Sequence, residues 1–182
     1  MRANRIINIS FFVLLLMFQG CSDNSVNQPA PAENLISNWS FEKNGQPIIE
    51  GWLINPNGKY SFSNSAPEGG GMYSIQLDCN WGIPNEIRTS VPAYWGNAKF
   101  EFSLLSRKED FGGNFSINIK RSDSLITLNK INIDSDSWRI YSVFDSIQTK
   151  KNDSLVIILS GGFSQVLTGK TYFDLVRLEK LD

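Results

Sequence analysis

Histidine is missing from this sequence, and cysteine is nearly missing. The 182 residues contain no histidine and two cysteines. Without histidine, the chain cannot form a histidine-based catalytic triad, a histidine general base or a histidine metal site. Carboxylate chemistry stays open. If Cys21 is modified, Cys79 has no partner for an internal disulfide and is expected to pack as a small apolar residue.

Concentrated charge is missing as well. Lysine and arginine together number 17 and aspartate and glutamate 18, which gives a formal net charge of −1. The cations are scattered along the chain and nowhere exceed a pair of neighbours, such as Lys150-Lys151 in a predicted turn. Binding to nucleic-acid phosphates requires a concentrated basic surface. We therefore expect no nucleic-acid partner.

The N-terminus carries a long apolar run. Arg2 and Arg5 precede the stretch Ile6–Phe18, which is shorter than the roughly 20 residues that span a bilayer. The stretch leads into Gln19-Gly20-Cys21, which resembles a bacterial lipobox, in which the cysteine is lipidated and becomes the new N-terminus. This pattern predicts a lipoprotein signal peptide over residues 1–20 and lipidation of Cys21. The alternatives are an uncleaved membrane anchor and an ordinary signal with a chance cysteine.

Residues 21–33 are predicted to be a flexible linker after the lipidated cysteine. They are rich in Ser, Asn, Pro and Ala, offer little to bury, and are kept extended by Pro29 and Pro31. Ser22 after the cysteine resembles lipoproteins that are sent on to an outer membrane. We therefore expect a cell-envelope protein of a Gram-negative bacterium, attached to the outer membrane through its lipid alone.

From residue 34 to residue 182 the composition indicates one all-β domain. Helical periodicity is nearly absent, and short runs alternate between apolar and polar residues, as Phe100, Phe102 and Leu104 do with their neighbours. Gly, Asn, Asp and Ser mark turns between the runs. Eight to eleven strands at this spacing predict a two-sheet antiparallel sandwich.

Two short runs at the ends of this domain share an unusual feature. Asn34–Glu42 and Tyr172–Glu179 are strand-like, and each places a carboxylate among apolar residues, Glu42 in the first and Asp174 in the second. Acids are rarely buried in strands unless they are paired or bound to a metal. The two ends are therefore predicted to meet around a cation. Alternatively, both acids cap turns or pair with Arg or Lys.

Several landmarks follow one another along the domain: Asn34-Leu35-Ile36, Phe41-Glu42, Gly51-Trp52, the glycine turn and strand Gly70–Leu77, Trp138 and Phe173-Asp174. Together they resemble the carbohydrate-binding modules of families four, nine and twenty-two, which belong to the galactose-binding-like jelly-roll group. Trp39 departs from the small residue that is usual before Ser-Phe-Glu. The resemblance covers the whole domain and implies a jelly-roll sandwich. It implies sugar binding more loosely, because one fold serves many functions.

The resemblance also implies a structural calcium ion where the chain ends converge. Calcium binds about six to eight oxygens from carboxylates and backbone carbonyls. Glu42 and Asp174 would supply carboxylate oxygens. The carbonyls of Lys43, Gly71 and Tyr73 would complete the shell, and the ion would stabilise the fold and take no part in catalysis.

A saccharide site needs an exposed aromatic ring for the apolar face of the sugar and polar groups for its hydroxyls. Trp52 follows a glycine at what the resemblance implies is a core position, and Trp138 lies inside an alternating run, so both are assigned to packing. The aromatic residues in loops rich in Gly, Pro and Asn are predicted to bind the glycan: Trp81, Tyr94 and Trp95. Their predicted polar partners are Asn80, Asn85, Glu86, Arg88 and Asn97, and weaker aromatic candidates are Trp39, Phe111 and Phe163. Alternatively, these rings plug the ends of the sandwich.

No pair of acids favours an enzyme. A glycosidase needs two carboxylates about 5–9.5 Å apart, and nothing in the spacing of the acids brings two together. We therefore expect a non-catalytic glycan-binding domain of a cell-envelope lipoprotein. The alternative is a structural or protein-contact module of a surface assembly that has lost its sugar site. Rings on one connected face would favour glycan binding, and scattered rings would favour the alternative.

Overall fold

The structure, a computed structural model, describes residues 33–82, 84–165 and 167–181. The predictions for the signal peptide, for lipidation of Cys21 and for nearly all of the linker lie outside these residues. Ala32–Asp182 forms one compact unit. Within the described ranges, no helix has the length and hydrophobicity needed to cross a membrane.

Antiparallel strands make up two five-stranded sheets and a small hairpin. The hairpin joins β1 (Glu42–Lys43) to β2 (Gln46–Pro47). The first sheet has the order β10 (Arg139–Gln148), β7 (Asn97–Asp110), β12 (Gly169–Leu181), β5 (Ser74–Asp78) and β4 (Ser61–Ser63). The second has the order β3 (Leu53–Ile54), β6 (Glu86–Pro92), β11 (Ser154–Ser160), β8 (Asn114–Arg121) and β9 (Ser124–Asn132). The predicted all-β, two-sheet antiparallel jelly-roll sandwich is confirmed.

The number of strands exceeds the predicted eight to eleven. Twelve strands lie in the described part of the chain, and three of them (β1, β2 and β3) are two residues long. Runs this short contain too few residues to show an alternating pattern, so the sequence does not predict them.

The core lies between the sheets and follows from the alternation. Phe100, Phe102 and Leu104 of β7 are buried, because successive side chains in a strand point to opposite faces. The rings of Phe102 and Phe115 meet across the sandwich, with centroids 5.2 Å apart. Trp52 is buried, which confirms its packing role.

Trp138 also packs, although it lies just before β10 and is half-buried. Its ring centroid lies 6.5 Å from that of Tyr172. The guanidinium carbon of Arg107 lies 3.9 Å from the centroid of the Tyr172 ring and 5.7 Å from that of the Trp138 ring. Trp138 therefore packs as predicted, and the partners of its ring are Tyr172 and Arg107.

The N-terminal segment runs along β12, so the two ends of the domain meet as predicted. The Leu35 amide donates to the Leu178 carbonyl at 2.8 Å, and the Val176 amide donates to the Trp39 carbonyl at 2.8 Å. The predicted first strand is nevertheless confined to Glu42–Lys43. Phe41 has φ 55°, a left-handed conformation that interrupts extended backbone. The pairing of β12 with β7 shifts register between Asp174 and Arg177.

Candidate functional site

The structure separates the predicted sugar-binding residues into two groups at opposite ends of β6. Trp81 lies in the loop before this strand, and Tyr94 and Trp95 lie in the loop after it. Seven residues at about 3.3 Å per residue put the two ends of β6 roughly 20 Å apart. The three rings therefore do not share one connected face. Because scattered rings are expected of a structural or protein-contact module, this separation by itself favours that alternative.

Trp81 is nevertheless accompanied by a second exposed ring. Its side chain is 70% exposed, and that of Phe163, in the loop between β11 and β12, is 48% exposed. Asn80 forms an isolated parallel bridge with Phe163, and the Ser164 amide donates to the Asn80 carbonyl at 3.4 Å. The two loops thus lie side by side. We call Trp81 and Phe163 the aromatic pair.

Asn85 has a positioning role in place of the predicted ligand contact. It is 3% exposed. Its amide nitrogen donates to the Asp78 carbonyl at 3.0 Å, and its amide oxygen accepts from the Lys59 backbone N–H at 2.7 Å. Its own carbonyl accepts from the Gly161 amide at 2.9 Å. Asn85 therefore connects the segments that lead into the two loops of the aromatic pair, at Asp78 and at Gly161.

The second sheet turns a polar face away from the core. In its central strands the core residues point toward the first sheet, so the residues between them point outward. The strand register arranges these outward residues in rows across β6, β11, β8 and β9. The rows are Glu86, Ser160, Asn114 and Asn132; then Arg88, Ile158, Ser116 and Lys130; then Ser90, Val156, Asn118 and Thr127. We call these residues the polar face.

The polar face leads directly to the aromatic pair. Glu86 begins β6 just after the loop that carries Trp81, and Ser160 ends β11 just before the loop that carries Phe163. The first row of the polar face therefore adjoins the two loops that carry the rings. Glu86 and Arg88 are predicted site residues, and the register places them in successive rows of the polar face. Trp81 lies five residues before Glu86 in the chain.

The centre of the polar face is sheltered and internally hydrogen-bonded. Ser116, Asn118 and Ser160 are between 2% and 8% exposed, although their side chains point away from the core. The Asn118 amide donates to Ser116 Oγ at 3.0 Å and to the Val156 carbonyl at 3.2 Å, and its oxygen accepts from Thr127 Oγ1 at 2.8 Å. These contacts fix the orientation of the amide before any ligand arrives.

Glu86 lies in a partly desolvated position next to cations. Burial raises the pKa of its carboxyl group above the ordinary value, and a hydrogen bond with Ser160 and the charges of Lys130 and Arg88 act in the opposite direction. The combination of carboxylate, hydroxyl, amide and cation offers both donors and acceptors. Sugar hydroxyls both donate and accept hydrogen bonds, so this set suits them.

Most residues of the polar face are not predicted from the sequence. Ser160, Asn114, Asn118 and Lys130 come from three strands, β11, β8 and β9, and only the register between these strands brings them into rows. One signal was present, because Ser116 and Asn118 alternate with the core residues Phe115, Ile117 and Ile119. Small polar residues between buried core residues mark a face that differs from an ordinary solvent-exposed surface.

The group at the other end of β6 is divided. Tyr94 is 65% exposed, whereas Trp95 is half-buried and packs against the core. Asn97 is exposed and begins β7. The weaker candidate Trp39 is 40% exposed beside β12, and Phe111 is half-buried. Trp95 thus matches the packing alternative, and Tyr94 remains available to a ligand.

The predicted metal residues Glu42 and Asp174 form a carboxylate pair. Asp174 is fully buried, and its Oδ2 has no hydrogen-bond partner. Burial, together with the nearby charge of Glu42, raises the pKa of Asp174 to about 8, while the Leu175 amide acts in the opposite direction. Glu42 Oε2 accepts from the backbone amides of Met72 at 2.7 Å and Tyr73 at 3.1 Å. Two acids thus lie close enough to interact, and one carboxylate oxygen of Asp174 is buried without a hydrogen-bond partner.

The glycine turn closes over this pair. A Cβ added to Gly70 would collide with Asp174 Oδ2, and one added to Gly71 would collide with Glu42 Oε2. In the described residues no cluster of three or more metal-ligating side chains occurs. A cation here would therefore take two carboxylates and complete its shell with carbonyls or water. A hard cation such as calcium accepts that donor set, so the residues present fit the ion.

Comparison with known proteins gives a match of structure without a match of sequence. No protein-family model and no curated protein sequence matches the chain. The enzymatically active domain of tailspike protein 4 from bacteriophage CBA120 superimposes with a TM-score of 0.62 at 14% identity, over 81% of this chain and 21% of that chain. A family 16 carbohydrate-binding module has a TM-score of 0.59 at 15% identity, over 80% of this chain and 99% of the module. A family 61 module solved with β-1,4-galactotriose has a TM-score of 0.56 at 12% identity, over 82% and 100%.

The chain has the jelly-roll fold of the carbohydrate-binding modules. Identities this low establish the fold and nothing finer. The same fold also occurs within enzymes, since the chain spans about a fifth of the tailspike. The function has to come from the site itself, because one scaffold hosts many activities.

Proposed function

We propose that this protein is a non-catalytic glycan-binding module whose site combines the aromatic pair with the polar face. The observation that carries the proposal is the position of Trp81 and Phe163, two exposed rings in adjoining loops, directly beside the row that begins with Glu86 and Ser160. An exposed ring stacks on the apolar face of a pyranose, and the neighbouring polar groups bind its hydroxyls. This juxtaposition outweighs the separation of Trp81 from Tyr94 and Trp95.

The composition of the polar face supports binding without catalysis. Glu86 is the one carboxylate in its three rows. A glycosidase of the usual kind needs two carboxylates flanking the scissile bond. A single acid surrounded by amides, hydroxyls and cations can orient a sugar, but it lacks the partner that would act as nucleophile or base.

The proposal includes a calcium ion held by Glu42 and Asp174. The orphaned Asp174 Oδ2 and the glycine turn that closes over both acids are the observations that support it. The carbonyls of Lys43, Gly71 and Tyr73 would supply further oxygens. The ion would neutralise the carboxylate pair and tie the hairpin, the glycine turn and β12 together, and its role would be structural.

The cell-envelope location is also part of the proposal. It rests on the apolar run and Cys21 in the sequence, which would be lipidated and carry the domain on the linker 21–33. A module anchored in this way would hold a polysaccharide close to the membrane.

The test is a glycan-array screen of the full chain in calcium, in micelles of a detergent without a sugar headgroup. We expect Trp81→Ala to weaken binding of the recognised neutral glycan by about tenfold or more, which corresponds to about 1.4 kcal/mol. Phe144→Ala is the matched control, because Phe144 is 67% exposed but lies on β10 in the first sheet. Its binding should equal that of the unmodified protein.

Two results would count against this function. A folded, calcium-loaded protein that binds no glycan on the array would favour the protein-contact alternative. Equal losses in Trp81→Ala and Phe144→Ala would show that binding does not occur at the aromatic pair.

A further inference from the structure

A cavity opens at the end of the sandwich opposite to the aromatic pair. It has a volume of about 590 Å³, and it lies between the loop that follows β6 and the turn that precedes β11. Its lining residues are Tyr94, Gly96, Thr149, Lys150, Lys151 and Asn152. The volume is large enough for a sugar ring, since ligand pockets begin at about 300 Å³.

Two buried residues hold the walls of this cavity in place. Thr149 Oγ1 accepts from the Trp95 amide at 2.9 Å and donates to the Gly96 carbonyl at 3.2 Å. On the other wall, Asp153 Oδ2 accepts from the Lys150 amide at 2.8 Å, and the Asp153 carbonyl accepts from the Ala93 amide at 3.0 Å. A ligand would therefore meet walls that are already ordered, which lowers the entropic cost of binding.

The cavity carries positive charge from two exposed lysines, Lys150 and Lys151. The Lys150 and Lys151 side chains have no salt-bridge partner in the part of the chain that the structure describes. The charge of Lys150 acts on Asp153, but that carboxylate is already paired with Arg121, whose Nη2 lies 2.7 Å from Oδ2. No lining residue is acidic. The formal net charge of the whole chain is −1, so this local excess of cations is not a consequence of a basic protein.

Tyr94 adds an aromatic surface to these two cations. Its side chain is 65% exposed at the rim, whereas the next residue, Trp95, packs against the core. A ring available for stacking next to two ammonium groups matches a sugar that carries a negative group. The ring would contact the apolar face of the pyranose, and the ammonium groups would bind a carboxylate or sulfate.

We propose that Tyr94, Lys150 and Lys151 form a second saccharide site, selective for anionic sugar rings that carry a carboxylate or a sulfate. The site lies about the length of β6 away from the aromatic pair, and it does not depend on the polar face. The polar face mixes both signs of charge, and the second site holds cations only. One module would then recognise a neutral and an acidic part of a glycan at two ends of the same sandwich.

The test compares the affinities of the full chain for three probes in micelles of a sugar-free detergent. The probes are trigalacturonate, a sulfated galactose trisaccharide and neutral β-1,4-galactotriose. We expect Lys150→Gln/Lys151→Gln to weaken binding of the recognised anionic probe about tenfold or more and to leave the neutral probe unchanged. Lys59→Gln/Lys170→Gln is the control, because it removes the same charge from exposed positions near the other end of the sandwich.

The anionic arms distinguish the two sources of negative charge, since preferential binding of either the carboxylated or the sulfated probe supports the site and identifies its group. Binding of that probe should also fall as salt is raised from about 50 to 500 mM, because salt screens exposed charges. Tyr94→Ala should weaken binding of the same probe and leave the dependence of that binding on salt unchanged.

Three outcomes would overturn the second site. One is equal affinity for the anionic and neutral trisaccharides. Another is an anionic probe that is lost in Trp81→Ala but retained in the Lys150 and Lys151 variant, which would locate it at the aromatic pair. The third is equal weakening by both lysine double variants. If neutral glycans still bind and depend on Trp81, the function proposed above stands while this site fails.

Discussion

Asp153 and Asp174 are both buried aspartates, and the protein treats them in opposite ways. Asp153 lies against Arg121, whose Nε and Nη2 donate to its two oxygens at distances from 2.7 to 3.2 Å. These hydrogen bonds hold the pKa of Asp153 below its ordinary value. Asp174 has an unpartnered Oδ2 and faces Glu42, and its pKa rises to about 8.

The difference shows two solutions to the cost of a buried carboxylate. A buried charge needs a partner of opposite sign. For Asp153 the chain itself provides this partner, Arg121. The Arg121 guanidinium also donates to the Gln148 carbonyl at 3.1 Å. At Asp174 the neighbouring groups are an acid and the backbone of the glycine turn. Without a cation, a proton neutralises the Asp174 carboxyl group, as its raised pKa indicates. The proposed calcium ion would supply the positive charge in place of that proton.

The largest expected effect comes from removing the internal partner. We expect Arg121→Ala to lower the melting temperature further than calcium removal does, because it leaves Asp153 buried without its cation and loosens the turn that begins at Lys150. Thermal unfolding of the full chain, followed by near-UV circular dichroism, measures this effect. Added calcium should not restore the lost stability.

The matched control for that variant is Arg139→Ala. Arg139 pairs with Asp134 at 3.6 Å, but both side chains are more than 60% exposed, and exposed pairs contribute little. If Arg121→Ala and Arg139→Ala have the same melting temperature, Arg121 does not stabilise the protein by pairing with the buried Asp153.

The next effect is calcium removal. At a free calcium concentration of about 100 times Kd, the ion should stabilise the protein by about 2.7 kcal/mol. For a domain of about 150 residues this corresponds to a drop of roughly 5–10 °C on chelation. Asp174→Asn should abolish the difference between calcium and chelator. A difference that survives in Asp174→Asn, or an unmodified protein indifferent to chelation, would contradict a calcium site at this pair.

The smallest effect is a slope of stability with pH in chelator. The pKa of Asp174 is about 8 in the folded protein and near its ordinary value of 3.8 when unfolded. Between these values the folded state binds more protons, so stability should fall as pH rises from about 4 to about 8. One proton accounts for at most about 1.4 kcal/mol per pH unit. Urea unfolding at pH 5, 6, 7 and 8 measures the slope.

Asp153 should contribute with the opposite sign. Its pKa is lowered in the folded state, so its stabilisation is present above the ordinary aspartate pKa and is lost as pH falls through the folded value. Asp174→Asn should remove the loss of stability between pH 5 and 8 and keep the loss in stronger acid. A slope unchanged by Asp174→Asn would mean that another group causes it.

Local pattern predicted a good part of the site. The alternation and turn residues predicted a sandwich, and the two carboxylates among apolar residues predicted that Glu42 and Asp174 would meet, as they do. Trp81 was predicted from a large ring in a loop rich in Gly, Pro and Asn, and its side chain is exposed. These features are readable because the signal for each one, an alternating run, an acid among apolar neighbours or a ring in a loop rich in turn residues, is local in the chain.

Other features required the assembled structure. Asn85 was predicted as a ligand contact, but it holds Asp78, Lys59 and Gly161 in place. Trp95 and Tyr94 are adjacent in sequence, yet one packs and the other is exposed. The partnership of Arg121 with Asp153 spans 32 residues and left no local signal.

The sequence by itself determined the fold class, the core of each long strand and the residue types available for chemistry, because side-chain alternation and turn propensity act over a few residues. The tertiary structure alone decided which residues share a surface. Cross-strand register brought Glu86, Ser160 and Asn114 into one row beside Trp81 and placed Tyr94 at the far end of β6. A shift of one residue in that register would turn every side chain of the polar face toward the core, so the site depends on pairing that no local pattern encodes.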